Sequence, residues 1–264
     1  MQYIVDHDLH IHSQLSLCSG HPEQTPARIL QYAVQNHFKT ICLTDHFWDE
    51  NVPGAPGWYQ AQNMEHIRAA LPLPEAEGVR FLFGCETEMD KHFTVGISDK
   101  VFDKLDFIIV PINHLHMTDF TIDREMDAPD RRADWYVRRF DALLDMDLPF
   151  HKLGLAHLTC RLIDQRTPEA HLDVLDCISD DTFRELFTKT AARGCGVELN
   201  FTYRAYKASQ LDRALRPYRI AADCGCRFYF GSDAHVPEEL DKAYANFTDI
   251  RDALGLCEEQ KFTV

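Results

Sequence analysis

Near its amino end the chain reads DLHIHS, Asp8 to Ser13. In an extended chain successive side chains alternate faces, so His10 and His12 look one way and Leu9 and Ile11 the other. Two neutral imidazoles on one side suit zinc and its transition-metal neighbours. A lone His-x-His equally describes two hydrogen-bonded histidines, so the rest of the chain must decide. Further donors stand in Thr44-Asp45-His46, Gly84-Cys85-Glu86, Asn113-His114, Ala156-His157 and Gly231-Ser232-Asp233-Ala234-His235, each just past a short apolar run. Six histidines and two carboxylates exceed the three or four protein ligands of a single zinc, which points to two or three divalent ions, with zinc, manganese and iron all compatible. In such sites the ions lie about 3.5 to 4 Å apart and share substrate oxygens, and a carboxylate such as Glu86 can bridge them. That chemistry suits hydrolysis of a phosphate ester: a metal-bound hydroxide would attack phosphorus in line while the ions neutralise the phosphoryl and leaving oxygens. Neutral histidines leave the metal charge available for a dianion.

The donors need elements to carry them. Strand-like runs cover Tyr3–His10, Thr40–Thr44, Val79–Phe83, Phe107–Val110, Leu153–Ala156, Gly196–Leu199 and Arg227–Phe230, and the donor motifs fall at their carboxyl ends. Helical patterns cover Thr25–His37, Asn63–Leu71, Arg131–Leu144, Asp181–Arg193 and Leu211–Cys224, and Thr25-Pro26 reads as an N-cap followed by proline at the first helical position. Alternating runs of this kind predict parallel βα units closed into a barrel, one domain over residues 1–264. Two long segments follow candidate strands, Phe47–Gln62 and Leu115–Asp134. In a βα barrel the loops after strands build the active face, so these are expected to wall a substrate pocket.

Composition narrows the partners. The chain has 264 residues, 45% of them hydrophobic, enough for a sizeable core. A formal net charge of -15 argues against duplex nucleic acid and anionic membranes, while leaving room for a small phosphorylated metabolite held by bound cations. With no long apolar run and no basic-apolar leader, a cytoplasmic location is expected. Nine scattered cysteines suit reduced thiols rather than a disulfide framework. Oligomeric state is not legible.

The ordered set DLHIH, LTDH, GCE, NH, LAH and GSDAH resembles the motifs of the PHP (polymerase and histidinol phosphatase) superfamily and spans nearly the whole chain. The resemblance implies a distorted (β/α)7 TIM-like barrel of the PHP type with a trinuclear site. It implies that His10, His12, Glu86 and Asp233 hold one ion, that Glu86, His114 and His157 hold a second, and that His46 and His235 hold a third together with a residue from the loop after His12. That residue is Cys18 or His21, with Cys18 favoured because its thiolate suits zinc. His116 competes with His114, and Glu88 with Glu86. Glu86, Asp233 and His235 are the expected catalytic residues. Arginine forks often hold phosphate. Arg161, four residues after His157, and Arg204, a few residues beyond Glu198-Leu199-Asn200 as in histidinol phosphatases, are the substrate-binding candidates. Glu198 is expected to be structural or to support a ligand, and Asp45 to orient a ligand or cap a turn. Length and layout look similar to stand-alone phosphatases of the histidinol phosphatase type, with histidinol phosphate the first candidate substrate. A phosphodiesterase, an amidohydrolase and a non-catalytic metal-binding module are the alternatives. Amidohydrolases usually carry a bridging lysine and end on a lone aspartate, where this chain has Glu86 and Asp-x-His.

Overall fold

The computed structural model describes residues 1–264. Nine strands form, β1 His7–Ile11, β2 Thr40–Leu43, β3 His46–Phe47, β4 Arg80–Phe83, β5 Cys85–Thr87, β6 Ile108–Pro111, β7 Leu153–Ala156, β8 Gly196–Leu199 and β9 Arg227–Phe230, and every pairing between them is parallel. They make two sheets in the orders β1-β2-β4 and β3-β5-β6-β7-β8-β9. These amount to seven strand positions, because two strands are interrupted rather than ended. β2 resumes as β3 beyond Thr44-Asp45, and β4 resumes as β5 beyond Gly84. Residue 84 has room only for glycine, since a Cβ there would lie 2.5 Å from the Phe107 carbonyl oxygen and 2.8 Å from the Cys42 sulfur. The ring closes between β1 and the segment after β9: Asp233 N donates to His10 O at 2.7 Å, His12 N to Ala234 O at 3.1 Å, and Ser232 N to Asp8 Oδ1 at 2.9 Å. The result is the expected distorted TIM-like barrel.

Nine α-helices cover it: α1 Pro26–Gln35, α2 Gly57–Gln60, α3 Met64–Ile67, α4 Asp99–Phe102, α5 Pro129–Asp145, α6 Ala170–Asp176, α7 Asp180–Arg193, α8 Ala208–Asp223 and α9 Pro237–Leu254. α1 starts as its sequence predicts, with the Thr25 hydroxyl accepting from Arg28 N and Pro26 in the first turn. Its buried stripe of Ile29, Leu30, Tyr32 and Ala33 faces the sheet, and the Tyr32 hydroxyl donates to Asp8 on β1. α9 was absent from the predicted helices, although Pro237, two first-turn glutamates and Gly255 at its end mark it. No helix is long and apolar enough to cross a membrane.

The interior separates into two apolar clusters. Most of the core lies between sheet and helices. A smaller cluster, Leu9, Cys42, Leu82, Phe107, Ile109, Ala156, Tyr229 and Phe262, fills the barrel floor. Here the strict alternation expected for DLHIHS fails. Leu9 belongs to the floor while Ile11 joins the outer core, because the register with β2 slips between Asp8 and Ile11. A bulge of this kind adds one residue to a strand, which lets neighbours face the same way. His10 and His12 nevertheless both point inward.

Candidate metal centre

The strand ends converge as predicted. Glu86 on β5 lies at the middle, with its Oε2 3.5 Å from His10 Nε2, 3.3 Å from His12 Nε2 and 3.0 Å from His46 Nδ1. Its Oε1 lies 3.2 Å from His157 Nε2 and 3.9 Å from His114 Nε2. Asp233 faces it across the opening, its Oδ1 3.1 Å from His12 Nε2 and 3.4 Å from His10 Nε2. Potential ligand atoms fall into sets lying within 4.8 Å of one another: His10, His12, Glu86 and Asp233; Glu86, His114 and His157; His12, His46 and His235.

What surrounds these rings sets which nitrogen faces inward. His10 Nδ1 pairs with Glu198 Oε1 at 2.5 Å, His114 Nδ1 with Glu88 Oε2 at 2.7 Å, and His157 Nδ1 with Asn200 Oδ1 at 3.2 Å. His12 Nδ1 meets Ser16 Oγ at 2.9 Å, and the Ser16 hydroxyl donates to Asp45 Oδ1 at 2.7 Å. In each case a Nδ1–H held by an outer acceptor leaves the Nε2 lone pair for the centre, the usual device for aiming a metal-ligating histidine. Glu198 and His10 also gather with His157 as a possible ligand set. The short bond to His10 Nδ1 instead makes Glu198 the orienting partner. Glu88 is tied to His114 and to the buried Arg139, whose Nη2 donates to Glu88 Oε1 at 3.1 Å, so Glu86 alone is left in the middle.

Two observations show that this donor set fits metal ions. His46 Nδ1 and His114 Nε2 are buried with no hydrogen-bond partner, a costly state unless another acceptor of their lone pairs is present. The charge pattern agrees. Burial alone would push His10 and His12 down, yet the facing carboxylates outweigh it, holding His10 well above its ordinary value and raising His12 to about 9. Burial likewise pushes Glu86 and Asp233 up, but the imidazoles beside them, His46 and His10 for Glu86 and His157, His235 and His10 for Asp233, hold both well below the usual carboxylate range. The side of the centre around His10 and His12 calls for positive charge, which bound cations would supply without protonating the rings, whereas burial and neighbouring imidazoles push His46 and His235 down and keep them neutral donors. Two of its members, His157 at φ +61° and Asp233 at φ +54°, adopt left-handed backbone. Gly231 before Asp233 has no room for a side chain, since a Cβ would lie 2.3 Å from Glu198 Oε1.

A cavity of about 590 Å³ opens over the centre, lined by Cys18, His46, Glu86, His114, His157, Asp233 and His235 on one side. Both long loops reach it, the first with Pro56, Trp58 and Tyr59 and the second with His116, Met117 and Phe120. The remaining candidates sort by position. Cys18 lines the cavity as an exposed residue and stays outside the ligand sets, and its position at the mouth, partly desolvated and facing the charges of Glu86 and Asp233, pushes its thiol up. His21 turns away and accepts from Glu23 N. His116 is on the cavity wall, not in a ligand set. The expected arginines are not brought to the phosphate position. Arg204 is captured by Asp249 of α9, with its Nε 2.6 Å from Oδ2, on a side chain that is 74% exposed. Arg161 is exposed, one residue before the wall residue Leu162, and no arginine or lysine lines the cavity. Sequence reasoning missed Ser16 and Arg139; a serine in a loop and an arginine in a helix carry no signal of burial.

A parallel βα barrel whose strand ends gather histidines around a shared glutamate defines a class of metal-centred barrel proteins. Within it, the model of the PHP domain family matches residues 8–202, and the chain belongs to that family. It is 27% identical over 258 residues to a probable phosphatase of Syntrophotalea carbinolica, covering 96% of this chain and 89% of that one. It is 26% identical over 275 residues to a probable histidinol-phosphatase of Deinococcus radiodurans, covering 94% of each. Among solved structures, histidinol phosphate phosphatase from Lactococcus lactis subsp. lactis, complexed with zinc, L-histidinol and phosphate, superposes with a TM-score of 0.59 at 14% identity over 98% of this chain and 99% of that one, a likeness of fold.

Proposed function

We propose that the protein is a metal-dependent phosphoesterase that hydrolyses a small phosphate monoester, with histidinol phosphate heading the substrates to test. The observation that carries the reading is the arrangement of His10, His12, His114 and His157, each tied at Nδ1 to an outer acceptor with Nε2 turned toward a carboxylate of the centre. His10, His12, Glu86 and Asp233 would hold one divalent ion, Glu86, His114 and His157 a second, and His46 and His235 a third, completed by His12 or by Cys18 across the cavity. Zinc, manganese and iron all suit these donors. When bound, the ions supply an activated water and neutralise phosphoryl charge.

The chain's own residues do the rest. Glu86 keeps the sets in register by giving one oxygen to each side. Glu198, Glu88, Asn200 and Ser16 fix the tautomers. Asp233, whose side chain is 26% exposed, reaches the cavity, where a carboxylate oxygen is placed to orient the attacking water by accepting a hydrogen bond. His235, its Nδ1 held by Asp233 O at 2.6 Å, presents Nε2 at the rim.

The test pairs elemental analysis of the purified chain, before and after reconstitution, with phosphate release from a panel headed by histidinol phosphate. Two or three bound ions with metal-dependent release support the reading. Metal without release from any monoester favours a diesterase, an amidohydrolase or a binding module, and no metal uptake at all overturns the centre itself.

A further inference from the structure

We infer that the alcohol part of the substrate is an uncharged, flat and largely apolar group seated on the wall formed by Trp58, Met117, Phe120 and Leu162; this inference rests on the phosphomonoesterase reading above and departs from its first candidate, histidinol phosphate, whose alcohol part carries an ammonium. Opposite the ligand sets the cavity offers Pro56, Trp58, Tyr59, Met117, Phe120 and Leu162, beside Cys18 and His116. Its only carboxylates are Glu86 and Asp233, and both already face imidazoles. A leaving group bearing an ammonium would therefore shed its water without gaining a free carboxylate, and a second phosphate would find no arginine or lysine. Selection here works by exclusion as much as by attraction.

The wall also looks built for a ring. Trp58 is 39% exposed although it lies directly over the centre, edge-on to His46 with ring centroids 4.9 Å apart. It is braced by Tyr59 at 4.7 Å, which in turn packs on Trp48 and Phe120 at 5.9 Å each, so the surface is backed by a second layer of aromatic rings. An exposed apolar surface beside a reactive centre marks a contact site. Aromatic faces also attract ammonium groups, but by less than the cost of stripping a cation of water without a counter-charge.

The experiment uses the metal-loaded full chain and three esters of alkyl alcohols, so that leaving-group acidity does not dominate: phenethyl phosphate, phosphoethanolamine and histidinol phosphate. The expected kcat/KM for phenethyl phosphate exceeds the other two by at least about tenfold, a gap of the size apolar pockets achieve. Trp58→Ala, on an exposed side chain whose loss opens no core cavity, narrows that gap, and Phe120→Ala does so independently. Equal or faster turnover of either charged ester overturns the inference and leaves the phosphoesterase reading standing. A gap that survives both substitutions unchanged also overturns it, and release from none of the three esters overturns the inference together with the reading beneath it.

Discussion

At the floor of the barrel, Leu9, Phe107, Ile109, Ala156 and Tyr229 meet Phe262 in a dry cluster. One to five residues further along the same segments stand His10, His114, His157 and Asp233. Apart from the Tyr229 hydroxyl, which is buried without a partner, the floor is held by apolar contact alone. The mouth buries imidazoles and carboxylates that must be individually answered, by Glu198, Glu88, Asn200, Ser16 and, at the centre, by cations. Strands thus carry stability at one end and chemistry at the other, the usual division of a βα barrel. The bulge in β1 lets Leu9 serve the floor and His10 the mouth from adjacent positions.

If the two ends are independent, substitutions at one should spare the other. The largest expected effect is at the mouth: Glu86→Gln should lower metal content and reduce hydrolysis well beyond the roughly 10- to 100-fold typical of a residue outside the ligand set, with little loss of thermal stability in the metal-free chain. Elemental analysis, turnover and melting temperature together check this, and normal turnover would remove Glu86 from the centre. At the floor, Phe262→Ala should cost about 3 kcal/mol in denaturant unfolding through the cavity it leaves, while folded enzyme keeps its turnover. A fall in activity at temperatures where the variant is fully folded would show that the ends are coupled.

A smaller, graded effect comes from pH. His12 in the metal-free chain keeps its proton up to about pH 9 instead of its ordinary 6.5. Metal binds only the neutral ring, so each ion captured by His12 must expel that proton below this value. Apparent affinity for zinc or manganese should therefore rise with pH from neutrality to about 9, with proton release measurable by titration in buffers of different ionisation enthalpy. Affinity that is flat between neutrality and pH 9 would mean His12 is already neutral. Least of all, Arg204→Ala should leave both phosphate release and melting temperature unchanged, since its fork is spent on Asp249 at the surface. A raised KM would restore it to the substrate side.

Much of the mouth was legible because its signal is local and repeated: a donor placed just past each apolar run. Leu153–Ala156, Gly196–Leu199 and Arg227–Phe230 fall on their predicted residues. What escaped depends on contacts between distant segments. The need for glycine at position 84 reflects the Phe107 carbonyl across the sheet, and the bulge at Leu9 reflects the register with β2. Nothing near Arg139 in sequence announces that it will be buried against Glu88. Arg204 misled for the opposite reason, since its place after β8 suited phosphate binding until α9, absent from the sequence reading, supplied Asp249.

The left-handed backbone at His157 and Asp233 puts a trade-off between robustness and activity into the strand ends. A non-glycine residue in a sparsely populated backbone region costs on the order of 1 to 3 kcal/mol. Glycine at either position would relieve that cost while deleting a ligand. Selection for heat resistance alone would thus favour a sturdier barrel that has lost its reaction, and a histidine and an aspartate in these two positions mark where the fold gives up stability for chemistry.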